Sequence, residues 1–278
     1  IEAGMGGLHD STNLFSPLAV ICPSIGLDHQ AVLGNTHAEI AAEKAGVLKN
    51  GAPFIFATER DDVRAVFEKK AHEEGAKTYE LGKDFTAKGT SHSFDFAYEE
   101  QKLENISLAM AGQHQVANAS LAIMTSLLLQ KDYPEVTPDL IKAALAHASW
   151  LGRTEFLMPN LMIDGAHNNE SVKVLIDLLK SEYADKDIEL LFAAIDTKPI
   201  DSMLAQLESV GDLTVTSFEY PNSVKLDKYP DAYKKVPDFQ TWIKNHVSAD
   251  KDKLYVITGS LYFISQVRKW LLERKSNV

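Results

Sequence analysis

The stretch Leu161 to Asn168, L-M-I-D-G-A-H-N, decides the fold. Leu161, Met162 and Ile163 predict a short buried strand, Gly165 a turn, and Asn168 or Asn169 a cap for the helix implied by Val172, Val174, Leu175, Leu178 and Leu179. A strand that passes through a glycine turn into a helix aims backbone N–H groups at a phosphate or carboxylate. Gly165 permits close approach, and His167 supplies a ring that hydrogen-bonds or carries charge. An ordinary αβ turn with a capping asparagine uses the same residue types, so the rest of the chain has to choose between the two readings.

Toward the C-terminus the alternation is regular. Strands are predicted over 188–194, 213–218 and 254–258, and helices over 170–183, 199–210, 238–247 and 261–273, which together make an open α/β sheet. Thr258-Gly259-Ser260 is a second strand-to-helix turn suited to an anion, and Lys198 beside Pro199 places a cation at the same kind of strand end. Upstream, Arg153 lies in W-L-G-R-T-E-F, in a turn between domains. It can serve phosphate oxygens or simply pair with Glu155.

The first half reads as further β-α-β alternation. Leu18 to Pro23 predicts a buried strand leading into S-I-G-L-D-H-Q, and Thr36 with Glu39 forms a capping box that opens a helix carrying Lys44 near its end. A lysine there also complements the helix dipole. Strand, helix and strand follow over 53–57, 61–74 and 77–81, and then a hairpin-like insertion between Phe94 and Met110. A long apolar helix begins near Gln113, with His114, Gln115 and Asn118 crowding its first turns, an arrangement suited to reading a purine edge or to capping. The turn Gly4 to Gly7, followed by Asp10, Thr12 and Asn13, resembles a phosphate cradle only weakly. Glu2 and His29 each follow a strand end and offer part of a shell for a divalent cation, or are surface residues satisfied locally.

Composition narrows the field. With 28 Lys plus Arg against 39 Asp plus Glu, a net charge of −11, the chain advertises no nucleic-acid surface. Its one cysteine, Cys22, sits in an apolar run and fits a reducing cytoplasm. No apolar run approaches a membrane span and no leader pattern opens the chain, so no membrane partner is expected. The 278 residues predict two domains, 1–151 and 152–278. Ile1 is no initiator methionine, and the opening I-E-A-G-M-G-G reads like the end of a cut strand, so a fragment is expected.

Taken in order, G-M-G-G-L-H-D-S-T-N, S-I-G-L-D-H, E-I-A-A-E-K-A-G-V-L-K, G-Q-H-Q-V-A-N-A, G-R-T-E, D-G-A-H-N and T-G-S-L-Y-F-I-S-Q-V-R resemble the folylpolyglutamate synthase and dihydrofolate synthase family of the Mur ligase superfamily. The resemblance implies an α/β chain: an incomplete N-terminal P-loop-type ATPase domain and a C-terminal Rossmann-like open-sheet domain. It implies a monomeric cytoplasmic ligase of folate biosynthesis and one-carbon metabolism, which uses ATP and Mg2+ to activate a folate or dihydropteroate carboxylate and join L-glutamate to it. By that similarity Glu2 and His29 hold magnesium, and Lys44 becomes a carbamate that supports a metal ion or the acyl phosphate. Asn118 contacts adenine, Asp164 the ribose, and Arg153 and His167 the phosphates; Ser260, with His167, seats the incoming glutamate, and Lys198 lies near it.

Two departures stand out. Leu8 replaces an arginine usual in the family's glycine-rich turn, and no G-x-x-x-x-G-K-[ST] loop occurs in the sequence. The chain by itself is therefore expected to be inert or nearly so. Two alternatives accompany this reading: another Mur-type amino-acid ligase, and a non-catalytic nucleotide- or folate-binding protein.

Overall fold

Short apolar triplets separated by amphipathic helices produce the parallel layers of this protein. The computed structural model describes residues 1–275, and the chain divides into two compact units, one ending at Ala148 and the other beginning at Ser149.

In the first unit, β1 (Val20–Cys22) leads to α1 (Gln30–Leu33) and α2 (His37–Ala45). β2 (Phe54–Phe56), α3 (Asp61–Glu74) and β3 (Thr78–Glu80) follow, and the three strands pair in parallel in the order β1-β2-β3. Every residue of β2 is buried, as expected of a strand covered on both faces. Phe54 and Phe56 pack with Phe67 of α3 at ring separations of 5.0 and 5.1 Å. Ile55 points the other way, into a cluster with Phe94, Phe96, Val116 and Met124. The capping box of α2 forms as predicted: the Glu39 N–H donates to Thr36 Oγ1, and Glu39 Oε2 accepts from the Thr36 N–H.

The insertion is larger than its apolar pattern suggests. β4 (Thr86–Thr90), β5 (Ser93–Tyr98) and β6 (Gln101–Ile106) form an antiparallel sheet against α4 (Gln113–Leu129), and α5 (Pro138–Leu145) follows. β6 begins in the polar run and ends at Ile106, so Leu108 and Met110 lie outside it. Glu99, with φ of 51°, makes the tight turn between β5 and β6.

In the second unit β7 (Glu155–Met158) turns back against β8 (Leu161–Ile163), and α6 (Asn169–Glu182) leads to β9 (Asp187–Phe192). Then come α7 (Ile200–Leu207), β10 (Asp212–Val215), β11 (Lys234–Lys235), α8 (Phe239–His246), β12 (Lys253–Thr258) and α9 (Leu261–Lys275). The sheet order is β11-β10-β9-β12-β8-β7, parallel throughout except for β7. This is the open, Rossmann-like α/β sheet that the alternation predicts, with β12 inserted between β8 and β9.

Period two sorts the residues of that sheet onto its faces. Leu161, Ile163, Leu191, Tyr255 and Ile257 join Trp242 and Ile243 of α8 and Phe263 and Val267 of α9 in one core. Met162, Leu190, Phe192, Leu254 and Val256, equally buried, occupy the alternate positions. On α6, Asn169 links to α7 by accepting from Ser202 Oγ at 2.7 Å and Gln206 Nε2 at 3.0 Å.

Candidate active site

Ligands of open α/β sheets gather at the C-terminal strand ends, and in the second unit that edge carries the motifs. The Asp164 N–H donates to Ile257 O at 3.0 Å and the Gly259 N–H to Ala166 O at 3.1 Å. Thr258 Oγ1 also donates to Ala166 O, at 3.3 Å. D-G-A-H-N and T-G-S therefore lie side by side as continuations of neighbouring strands. Gly259 is required there: its φ is +114°, and a Cβ would stand 2.5 Å from Ala193 O and 2.8 Å from the Phe192 ring. Ser260 is buried directly beyond it.

The G-R-T-E turn is tied to the same place. The Gly165 N–H donates to Gly152 O at 2.8 Å, and the Thr154 N–H to Asp164 Oδ2 at 2.8 Å, while Asp164 Oδ1 accepts from the Ala166 N–H at 2.9 Å. Thr154 takes the uncommon φ of 44° to make this bond. Asp164 is only 7% exposed. Burial pushes its carboxyl above the usual range, and the two N–H donors with the charges of Arg153 and His167 pull it back.

Arg153 is half-buried, and Glu155 is not its partner. Arg268 Nε donates to both oxygens of Glu155, at 2.9 and 3.0 Å, and the Gly152 N–H donates to one of them. His167 Nδ1 lies 2.8 Å from Gly165 O, and a carbonyl only accepts, so this nitrogen carries a proton; Nε2 is an acceptor when the ring is neutral and a second donor when it is charged. Asn168 is the cap of α6, with Ser171 completing a capping box. Lys198, half-buried, stands where β9 hands over to α7, at the same strand edge.

The remaining candidates belong to the first unit. Glu2 is exposed ahead of the glycine-rich turn, and His29 is exposed at the cap of α1 with φ of 53°. Among the described residues no three of His, Cys, Asp and Glu converge on a cation position. Lys44 is half-buried in the last turn of α2, and its charge reaches the Cys22 thiol, which burial raises to about 11. Asn118 is exposed on α4, and its Nδ2 donates to Gln115 Oε1 at 3.3 Å.

Sequence reasoning missed what holds the first glycine-rich turn. Asp10 Oδ2 accepts from the N–H groups of Gly4 at 3.0 Å and Met5 at 3.3 Å, and Oδ1 from that of Thr12 at 2.9 Å. Two N–H groups that a phosphate would use are thus already occupied. Gly7 and Gly46 serve a different purpose. They let residues 7–8 lie against the end of α2, with the Leu8 N–H donating to Glu43 O at 2.8 Å.

The Asp10 bonds have a pH consequence. They lower its pKa from 3.8 to about 2, with the Thr12 N–H as the largest cause. A depressed carboxylate stabilises the fold above its unfolded value, so this contribution is complete above 3.8 and is lost as pH falls through about 2. Amide shifts of Gly4, Met5 and Thr12 followed down from pH 5 are expected to share an inflection near 2. An inflection at 3.8 would show that the bonds do not form in solution.

No family model matches the chain. It is 33% identical to the dihydrofolate synthase/folylpolyglutamate synthase of Bacillus subtilis, over 97% of this chain and 66% of that protein. With the folylpolyglutamate synthase of Lacticaseibacillus casei the identity is 31%, over 99% and 67%. Among solved structures it resembles the apo form of the L. casei enzyme and a folylpolyglutamate synthase complex with AMPPCP. Each match has a TM-score of 0.81 and 28% identity, covering 98% of this chain and 65% or 66% of the other. The chain thus spans about two thirds of the length of the relatives it matches.

Proposed function

This chain belongs to the folylpolyglutamate and dihydrofolate synthase family, and on that premise we propose that it is the larger part of an ATP-dependent ligase that joins L-glutamate to a folate or dihydropteroate through an acyl phosphate. The observation that carries the reading is the meeting of D-G-A-H-N, G-R-T-E and T-G-S at one strand edge, joined by the bonds around Asp164, Gly165 and Ala166. Phosphoryl transfer depends on positioning and charge neutralisation more than on covalent chemistry, and that edge supplies the parts.

Arg153 offers a planar fork to phosphate oxygens, and its turn is fixed by the Thr154–Asp164 bond. Asp164 spends one lone pair of each oxygen on backbone N–H groups and keeps others for a ribose hydroxyl. His167 accepts at Nε2 when neutral and adds a positive charge when protonated. Ser260 and Lys198 take the incoming glutamate, and Asn118 the adenine. Lys44, as a carbamate, exchanges a cation for an anionic ligand.

Magnesium favours oxygen ligands and completes its shell with water and phosphate. Glu2 fits it by charge and donor type, and His29 adds a nitrogen donor, so these two exposed side chains would form the protein's share of the shell. The ion would neutralise phosphate charge.

No described helix is long and apolar enough to cross a membrane, and we assign the protein to the cytoplasm as a monomer. The test is ADP formation by the 278-residue chain and by the complete product of its gene. The complete product is expected to form ADP only when folate or dihydropteroate and glutamate are both present, and the 278-residue chain alone to form little or none. Nucleotide binding without ADP formation by the complete product would favour the non-catalytic reading, and turnover with a UDP-muramoyl acceptor would favour a cell-wall ligase.

A further inference from the structure

β1 stands at the edge of the first unit's parallel sheet. Ile21, Ile55 and Tyr79 form one row across the three strands and share one face. Ile55 and Tyr79 are buried there among Val116, Ala119 and Ile123 of α4, at 0% and 7% exposure, whereas Ile21 is 45% exposed. The backbone at this edge is also turned outward. The Val20 N–H donates to Pro53 O and Cys22 O accepts from the Ala57 N–H, so Ile21 between them points its own N–H and C=O away from β2.

The chain leading into β1 has the same character. Leu14, Phe15 and Leu18 are 86%, 56% and 60% exposed. No charged residue occurs between Asp10 and Asp28, in a chain that is 24% charged. Edge strands that face water are blunted by charge, a bulge, shortness or a cover. Pro17 and Pro23 keep this one short, but its side chains are those of a strand covered on both faces. Apolar surface concentrated in this way marks a contact site.

Length and charge say what covers it. The B. subtilis relative aligns with 97% of this chain yet keeps about a third of its own length outside the match. A strand-helix-strand unit takes about 30 residues or more, so that third is ample for a further strand and a covering helix. A second copy of this chain would instead bring one net charge of −11 against another.

We propose that this edge is the docking surface for the part of the complete gene product that the 278-residue chain does not contain. That part adds a parallel strand beside β1 through the Ile21 N–H and C=O, and covers Leu14, Phe15, Leu18 and the Ile21 side chain. The inference rests on the ligase reading, in which this chain is the larger part of a longer enzyme.

Hydrogen exchange and thermal unfolding of the 278-residue chain and of the complete product test it. The Ile21 amide is expected to exchange about a hundredfold or more slowly in the complete product. Ile21→Lys should leave the melting temperature of the 278-residue chain within about 2 °C, because the side chain is exposed there, and lower that of the complete product by about 5 °C or more. Equal Ile21 exchange in the two proteins, or equal effects of the substitution, would overturn the docking surface. So would a gene that encodes nothing beyond the 278 residues. A 278-residue chain that light scattering finds dimeric, and that Ile21→Lys makes monomeric, would give the edge to a second copy and overturn it too. Failure of the ligase reading would appear separately, as a protected Ile21 amide in a complete product that forms no ADP.

Discussion

Replacing Gly46 by alanine is expected to destabilise the first unit by about 2 to 4 kcal/mol. A Cβ at position 46 would lie 2.5 Å from Leu8 Cβ and 2.7 Å from Leu8 N, so backbone would have to move. On the facing strand of chain, a Cβ at Gly7 would meet Lys44 O at 2.5 Å and Glu43 O at 2.7 Å. The two glycines are one close contact seen from both sides. Losing it should lift the glycine-rich turn from the end of α2 and disturb Lys44. Circular dichroism during urea unfolding is the suitable readout, because Trp150, Trp242 and Trp270 all belong to the second unit. A loss below about 0.5 kcal/mol, the level of an ordinary surface change, would show that the contact is not held in solution.

Trp242→Ala is expected to cost the second unit about 3 to 5 kcal/mol. The indole is 1% exposed, stands edge-on to Tyr255 at 6.0 Å and stacks on His246 at 5.3 Å. Its Nε1–H is buried without a partner, so the residue contributes by volume and ring contact, not by a hydrogen bond. Trp242→Phe should therefore recover more than half of the alanine loss. Equal losses for the two variants, measured by thermal unfolding, would mean that the N–H does find an acceptor.

How much of this was legible depended on whether the signal was local. The strand at Leu161, the capping box at Thr36 and the helix after Asn168 depend on neighbours within a few residues, and all three form. β4 and β11 escaped because T-A-K-G-T and K-K carry almost no apolar residue; they are edge strands with exposed side chains. β7 escaped because E-F-L-M does not alternate. In the candidate site, Asp164 and Ser260 could be named from their motifs. The Thr154–Asp164 bond and the displacement of Arg153 from Glu155 by Arg268 could not, since Arg268 is far along the chain. Asp10 was visible only as a polar neighbour of glycines. Its role emerged once the turn had folded around its carboxylate.

The position of β12 also bears on how the second unit is made. β12 pairs with β8 on one side and β9 on the other, yet it is synthesised after both. Until residue 258 has left the ribosome, the nascent sheet remains in two pieces, with open edges at β8 and β9 that invite misplaced pairing. The same late strand delivers Thr258, Gly259 and Ser260 to the motif-bearing edge. Biosynthesis thus completes the turn of Thr258, Gly259 and Ser260 in the step that closes the sheet, and an arrested chain would carry D-G-A-H-N on an unfinished platform.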